Sequence, residues 1–171
     1  MAMSFYNAFE LPLTIIRPFN TYGPRQSARA VIPNIITQMA NGVNKIKLGD
    51  LSPTRDFNYV EDTCNGFLSV LGKTETIGET YNIGSNTEVS IKETFSIIQE
   101  LMQVDAEPIT EEERIRPTNS EVHRLWCSNE KINKATGYTP QINFREGLQR
   151  TINWFSKPAN LKAYKTNVYN V

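Results

Sequence analysis

At 171 residues the chain is long enough to bury a core of its own and has the size of one domain. Hydrophobic residues make up 39% and charged residues 21%, which excludes a disordered chain, and a formal net charge of zero excludes a nucleic-acid binder that relies on bulk positive charge. No apolar run reaches transmembrane length and no signal peptide opens the chain, so the expected setting is cytoplasmic, with neither membrane nor nucleic acid as partner.

Residues 1–10 read as a helix with Ala2, Phe5, Tyr6 and Phe9 on one stripe. Nothing precedes that helix to cap it, so it reads as the tail of a longer helix and the chain as a fragment. Leu13 to Phe19 is apolar and β-branched and predicts a buried strand. Asn20 to Arg25 reads as a polar loop. Pro33 suits the first turn of a helix through Ile35, Ile36 and Met39, which Asn41-Gly42 ends. Lys45-Ile46-Lys47-Leu48 alternates as a strand does, and residues 55–60 alternate again. Cys64, Phe67, Leu68 and Leu71 follow helical spacing up to Gly72.

The second half repeats this grammar. Thr80-Tyr81-Asn82-Ile83 predicts a second buried strand. Ser90 and Glu93 form a capping box before a helix with Ile91, Phe95, Ile98, Leu101 and Met102 on one face. Residues 108–117 read as polar and extended, and 129–136 as a short helix closed by Gly137. Asn143 and Glu146 repeat the capping pattern before Phe144, Leu148, Ile152 and Phe155, and Pro158 ends that helix. The rest reads as coil. Alternating strands and helices predict an α/β class. The two buried strands need neighbours that the sequence does not obviously supply, so self-association is expected.

Several chemistries are excluded by residue types. His123 is the only histidine, and Cys64 and Cys127 lie far apart without a CxxC, so no metal site is expected and both thiols read as reduced. There is no G-x-S-x-G, no P-loop, and the nine glycines never fall in G-x-G-x-x-G. Five arginines instead sit at strand ends or in loops: Arg17, Arg25, Arg29, Arg55 and Arg116. Their planar, bidentate guanidinium groups suit phosphate oxygens, and such loops are where α/β sheets bind ligands. Pairing with Asp50, Asp56 or Asp62 explains them equally well on charge pattern alone.

Arg17-Pro18-Phe19-Asn20-Thr21-Tyr22-Gly23-Pro24 resembles the R-x-x-N-x-Y-G-P segment of the extended short-chain dehydrogenase/reductases, the NAD-dependent epimerase/dehydratase family. Ala30-Val31-Ile32-Pro33 resembles the family's segment along the nucleotide base. Leu48-Gly49-Asp50 with Thr54-Arg55-Asp56 through Val60-Glu61-Asp62 resembles its G-x-x-x-R-D-x-x-x-V-x-D stretch. Thr80 to Gly84 resembles its Y-N-h-G strand, Arg116-Pro117 its late arginine, and residues 137–155 its closing helix. These pieces fall in the family's order across residues 1–156, leaving 157–171 as a polar tail.

The resemblance implies an α/β fold: the carboxy-terminal part of an extended Rossmann-type fold, with the last sheet strands and the smaller substrate-binding lobe. It implies that Asn20 hydrogen-bonds a substrate diphosphate, that Arg29 lies near the phosphates, and that Arg55 and Arg116 clamp them. Val31, Ile32 and Leu48 would line the base pocket, with core packing as the other reading. Phe19 would lie near the nicotinamide of bound NAD, and Asp56 and Asp62 would be structural. Many relatives carry R-x-G-D at the late arginine. Here Asn119 replaces the acid, in a position to hydrogen-bond a ribose hydroxyl. The family's glycine-rich loop and catalytic Y-x-x-x-K are absent, since none of the seven tyrosines has a lysine four residues on. No catalytic residue is therefore expected in this chain.

Residues 25–33 and 51–56 most resemble the 4,6-dehydratases of legionaminic-acid-type pathways, which act on nucleotide-linked N-acetylglucosamine. The implied parent reaction oxidises C4 of the sugar with bound NAD, loses water across C5 and C6, and returns the hydride to C6. A nucleotide-sugar 4-epimerase is the near alternative, and a non-catalytic nucleotide-sugar-binding or assembly module the distant one. The family also implies a homodimer, with residues 1–10 near its interface.

Overall fold

The structure is a computed structural model that describes residues 1–111, 114 and 122–164. Helix α1 (Ala2–Phe9) buries no residue. Strand β1 (Ile15–Pro18) pairs in parallel with β6 (Thr80–Ile83), Ile15 opposite Thr80 and Pro18 opposite Ile83. The two strands expected to lack neighbours are thus each other's neighbour. Neither is fully buried: β1 passes from half-buried Ile15 and Ile16 to exposed Arg17 and Pro18, and β6 alternates. One face of the pair packs on Val70, Ile132 and Tyr138 through Tyr81 and Ile83.

The expected polar loop at residues 20–25 begins instead with a strand, β2 (Asn20–Tyr22), parallel to β5 (Phe57–Tyr59). Its polar side chains are satisfied across the pair. Asn20 Nδ2 donates to Asp56 O (3.0 Å), and the Thr21 and Thr63 hydroxyls share a hydrogen bond of 2.9 Å. Tyr22 is buried, donates its hydroxyl to Phe144 O (3.1 Å) and meets Phe57, Tyr59 and Phe144 edge-on. The expected alternation over 55–60 also fails, because all three residues of β5 are buried. Buried Asn58 is tied through Nδ2 to Thr63 Oγ1 (2.8 Å).

Helix α2 (Val31–Ala40) carries Pro33 in its first turn and ends at Asn41-Gly42, as its sequence dictates. Strand β3 (Lys45–Leu48) alternates and pairs in parallel with β8 (Glu107–Thr110), the extended part of the 108–117 run that is described. The two-residue strand β4 (Thr54–Arg55) lies between antiparallel β7 (Val89–Ser90) and parallel β9 (Arg124–Leu125).

Helix α3 (Val60–Val70) inverts its expected stripe. Cys64, Phe67, Leu68 and Leu71 are exposed, while Asp62, Thr63, Gly66 and Val70 face inward. Gly66 explains the choice of face: a Cβ there would stand 2.4 Å from Ile83 Cδ1, so only glycine lets the helix lie on β6.

Helix α4 (Ile91–Met102) has the full Ser90–Glu93 capping box. Helix α5 (Glu130–Thr136) closes at Gly137 with φ 77°. In α6 (Phe144–Phe155) Asn143 accepts from Glu146 N (2.9 Å), while the Glu146 carboxylate turns to Arg150 (2.7 Å) and leaves the box half made. The tail is not all coil. Pro158 opens a short helix, α7 (Pro158–Leu161), and Tyr164 packs its ring on Phe155 with centroids 4.9 Å apart. Helices α2, α4 and α6 share one core with β3, Tyr22 and Phe57.

Candidate functional site

Where β2, the start of α2, the end of β3 and β4 converge, they enclose a cavity of about 340 Å³. It brings together Asn20, Arg29, Val31, Ile32, Leu48 and Arg55, six of the residues singled out from sequence. Each is placed by a local rule. Asn20 opens β2, and one of its amide hydrogens is held by Asp56 O, leaving the other for a ligand. The loop after β2 turns at Gly23, where a Cβ would strike Val60 Cγ1 at 2.7 Å, and Gln26 Nε2 ties it back to Thr21 O (2.9 Å). That loop presents Arg29 to solvent at the cavity rim. Val31 and Ile32 form the first turn of α2, and Leu48 ends β3.

Ile32 and Leu48 are buried and belong to the hydrophobic core as well as to the cavity wall, so core packing and pocket lining describe the same two side chains. Arg55 is half-buried on β4, with Nη1 donating to Thr54 O (2.8 Å) and Val122 O (2.6 Å). The cavity lining therefore combines guanidinium groups with apolar side chains. That arrangement suits a ligand with an anionic middle and a flat, apolar base.

The acids weighed as arginine partners are engaged with other groups. Asp56, fully buried, accepts from Ser85 N (2.7 Å), Ser85 Oγ (2.9 Å) and Cys127 N (3.3 Å). Burial raises its pKa more than these donors lower it. Asp62 accepts from Gln141 N (2.9 Å) and Ile142 N (3.0 Å), tying α3 to the segment before α6. Ser52 donates its N–H and hydroxyl to Asp50 and holds that carboxyl below the usual range.

Arg17 and Arg25 are exposed and do not line the cavity. Phe19 lies at the end of β1, outside the cavity, with its N–H donated to Ile83 O (2.8 Å) and its carbonyl accepting from Thr21 Oγ1 (3.1 Å). Arg116 and Asn119 lie outside the described residues. The cavity also takes in Asn34, Asp50 and Arg114, which the sequence reading did not assign to a site. Arg114 reaches the wall because its backbone crosses Gly49, where a Cβ would meet Arg114 O at 2.6 Å. A glycine directly after a strand was the one available signal.

Among the described residues no group of His, Cys, Asp and Glu could hold a metal, and no helix is long and apolar enough to cross a membrane. Burial, and then the charge of Asp56, push the Cys127 thiol up to about 12, so it is inert at neutral pH. The Phe19 carbonyl, which accepts one hydrogen bond from Thr21 Oγ1, keeps a second lone pair.

A family model described as GDP-mannose 4,6 dehydratase matches residues 1–151. Human dTDP-D-glucose 4,6-dehydratase is 34% identical over 160 residues, covering 89% of this chain and 44% of that protein. The structure of epimerase Mth375 from Methanothermobacter thermautotrophicus superposes with a TM-score of 0.84 at 35% identity, over 94% of this chain and 48% of that one. The UDP-glucuronic acid 4-epimerase of Bacillus cereus, solved in complex with UDP-glucuronic acid and NAD, superposes with a TM-score of 0.82 at 26% identity, over 90% of this chain and 48% of that one. The chain thus spans about half the length of the relatives it matches.

Proposed function

This chain belongs to the NAD-dependent epimerase/dehydratase family of extended short-chain dehydrogenase/reductases, and on that premise we propose that it is the substrate-binding portion of a cytoplasmic nucleotide-sugar 4,6-dehydratase. The substrate would be an NDP-N-acetylhexosamine and the product a 4-keto-6-deoxy sugar. The observation that carries this reading is one cavity holding Asn20, Arg29 and Arg55 beside Val31, Ile32 and Leu48.

In this reading Arg29 and Arg55 neutralise the diphosphate, Asn20 donates its second amide hydrogen to a phosphate oxygen, and the apolar three hold the base. Arg116 and Asn119 join the proposal through sequence alone. The binding energy gained at the diphosphate would fix the sugar against groups that act on C4, C5 and C6. In this reading those groups and most of the NAD contacts come from the Y-x-x-x-K half of the family, and Phe19 lies near the nicotinamide. A 4-epimerase would use the same cavity, and the likeness to Mth375 and to the UDP-glucuronic acid 4-epimerase favours that as the second reading.

Calorimetric titration with UDP, GDP, dTDP and their N-acetylglucosamine conjugates tests the site, with NAD titrated separately. One nucleotide series should bind, Arg55→Ala should weaken it by about tenfold or more, and NAD should release no heat. Failure of every nucleotide to bind would sink the proposal. Mass analysis of the product made by a protein containing this sequence and the Y-x-x-x-K half separates the readings. Loss of water from the substrate marks a dehydratase, and unchanged mass marks an epimerase.

A further inference from the structure

Asn34 lies one turn into α2 and lines the cavity beside Val31, Ile32 and Leu48. Its amide orientation is dictated by Gln38, one turn further on and buried at 4% exposure. Gln38 Oε1 accepts from Lys47 N at 2.9 Å, and Gln38 Nε2 donates to Lys47 O at 3.2 Å. A backbone N–H can only donate and a carbonyl only accept, so this reciprocal pair settles which end of the Gln38 amide is nitrogen. The same Nε2 donates to Asn34 Oδ1 at 2.7 Å. Asn34 must therefore turn its oxygen to Gln38, which leaves its NH2 group for the cavity. No described residue accepts from Asn34 Nδ2.

We propose that Asn34, held by Gln38, is the residue that reads the nucleobase, by donating to an exocyclic carbonyl oxygen. This rests on the reading of the cavity as a nucleotide-sugar site. Uracil and thymine carry such an oxygen at position 4 and guanine at position 6. Cytosine and adenine carry an amine at the same positions and would set donor against donor. Gln38 touches no ligand. It is a positioning residue, and through its grip on Lys47 the choice of base is tied to the pairing of α2 with β3.

The test is calorimetric titration of the chain with two matched pairs, UDP against CDP and GDP against ADP, using wild type, Asn34→Asp and Gln38→Glu. The wild type should prefer the carbonyl-bearing member of the pair it binds by about tenfold. Asn34→Asp replaces the donor by an acceptor of the same shape and should abolish or reverse that preference. Gln38→Glu still accepts from Lys47 N but has no NH2 for Asn34 Oδ1. The Asn34 amide should then turn over, and the preference should move toward CDP or ADP while affinity for inorganic pyrophosphate stays unchanged. Should Gln38→Glu fail to fold by circular dichroism, Asn34→Asp alone decides, since its side chain is only half-buried. Equal binding within both pairs, or a preference that survives in Asn34→Asp, overturns the role of Asn34 and leaves the cavity reading standing. Absence of binding by all four nucleotides removes the cavity reading, and this proposal with it.

Discussion

Asp56 and Ser85 meet through a single carboxylate oxygen: Asp56 Oδ1 accepts both the backbone N–H of Ser85 at 2.7 Å and its hydroxyl at 2.9 Å. The second oxygen accepts from Cys127 N at 3.3 Å. One buried side chain thus holds the segment between β4 and β5 to the segment after β6 and to the segment after β9. Asp56→Asn would set an NH2 group against one of these donors. We expect a loss of about 1–3 kcal/mol in chemical denaturation at neutral pH.

Asp56 also gives stability a definite slope with pH. Burial raises its folded-state pKa above the ordinary aspartate value. Between the two values the folded chain binds more protons than the unfolded chain, so stability falls as pH rises through that window. Its contribution is fully present below the unfolded pKa and lost above the folded one. Denaturation across that window should show the decline, and Asp56→Asn should flatten it. An unchanged slope in the variant would assign the pH dependence to other groups.

Gly66→Ala sets two effects against each other. Alanine in a helix interior gains about 1 kcal/mol over glycine. Its Cβ, however, would stand 2.4 Å from Ile83 Cδ1 and 2.9 Å from both Cγ atoms of that fully buried side chain. Overpacking of this kind costs about 1–3 kcal/mol, so a net destabilisation is expected. Adding Ile83→Val removes the nearest carbon and should recover part of it. Additive losses in the double variant would show that the two sites do not touch.

Arg29→Ala separates binding from folding. The side chain is exposed at the cavity rim. Thermal stability should stay within about 0.5 kcal/mol of wild type, while affinity for the nucleotide should fall by about tenfold. An equal fall for the nucleoside without phosphates would remove Arg29 from the diphosphate.

The exposed apolar side chains of α1 and α3 make the oligomeric state measurable. Phe5 and Phe9 pack tilted with ring centroids 5.7 Å apart and 47% and 72% exposure, and Leu68 and Leu71 stand at 62% and 69%. Sedimentation of the chain should show association that rises with concentration. Phe9→Asp and Leu68→Asp should reduce it without changing the far-UV spectrum. A monodisperse wild-type monomer would refute this.

What the sequence revealed was mostly local. Ser90 and Glu93 are three residues apart, and Pro33 acts within its own helical turn, so both were readable from spacing. The strand at Asn20 was not, because what makes it a strand is its parallel pairing with Phe57–Tyr59, about 40 residues away. The same distance hid the exposed face of α3. Phe67 and Leu68 carry the apolar signal, but Gly66 decides which side reaches Ile83. In the cavity, Arg29 and Arg55 were marked by their loops and motif. Asn34 and Gln38 carry no motif, and their importance lies in which amide atom faces which.

Thr54 and Arg55 form the middle of three strands, gripped by β7 on one side and β9 on the other. Thr54 N reaches His123 O and Asp56 N reaches Leu125 O, each at 2.8 Å. The backbone that carries this guanidinium is therefore ordered before any anion arrives. In the proposed reading, a phosphate captured at Arg55 would cost side-chain rotamer freedom of about 0.5–1.5 kcal/mol, with no loop having to fold around it. As the proposed clamp, Arg55 would be stiff in advance, so a ligand that misplaced its phosphates would meet an electrostatic field that does not bend to follow it.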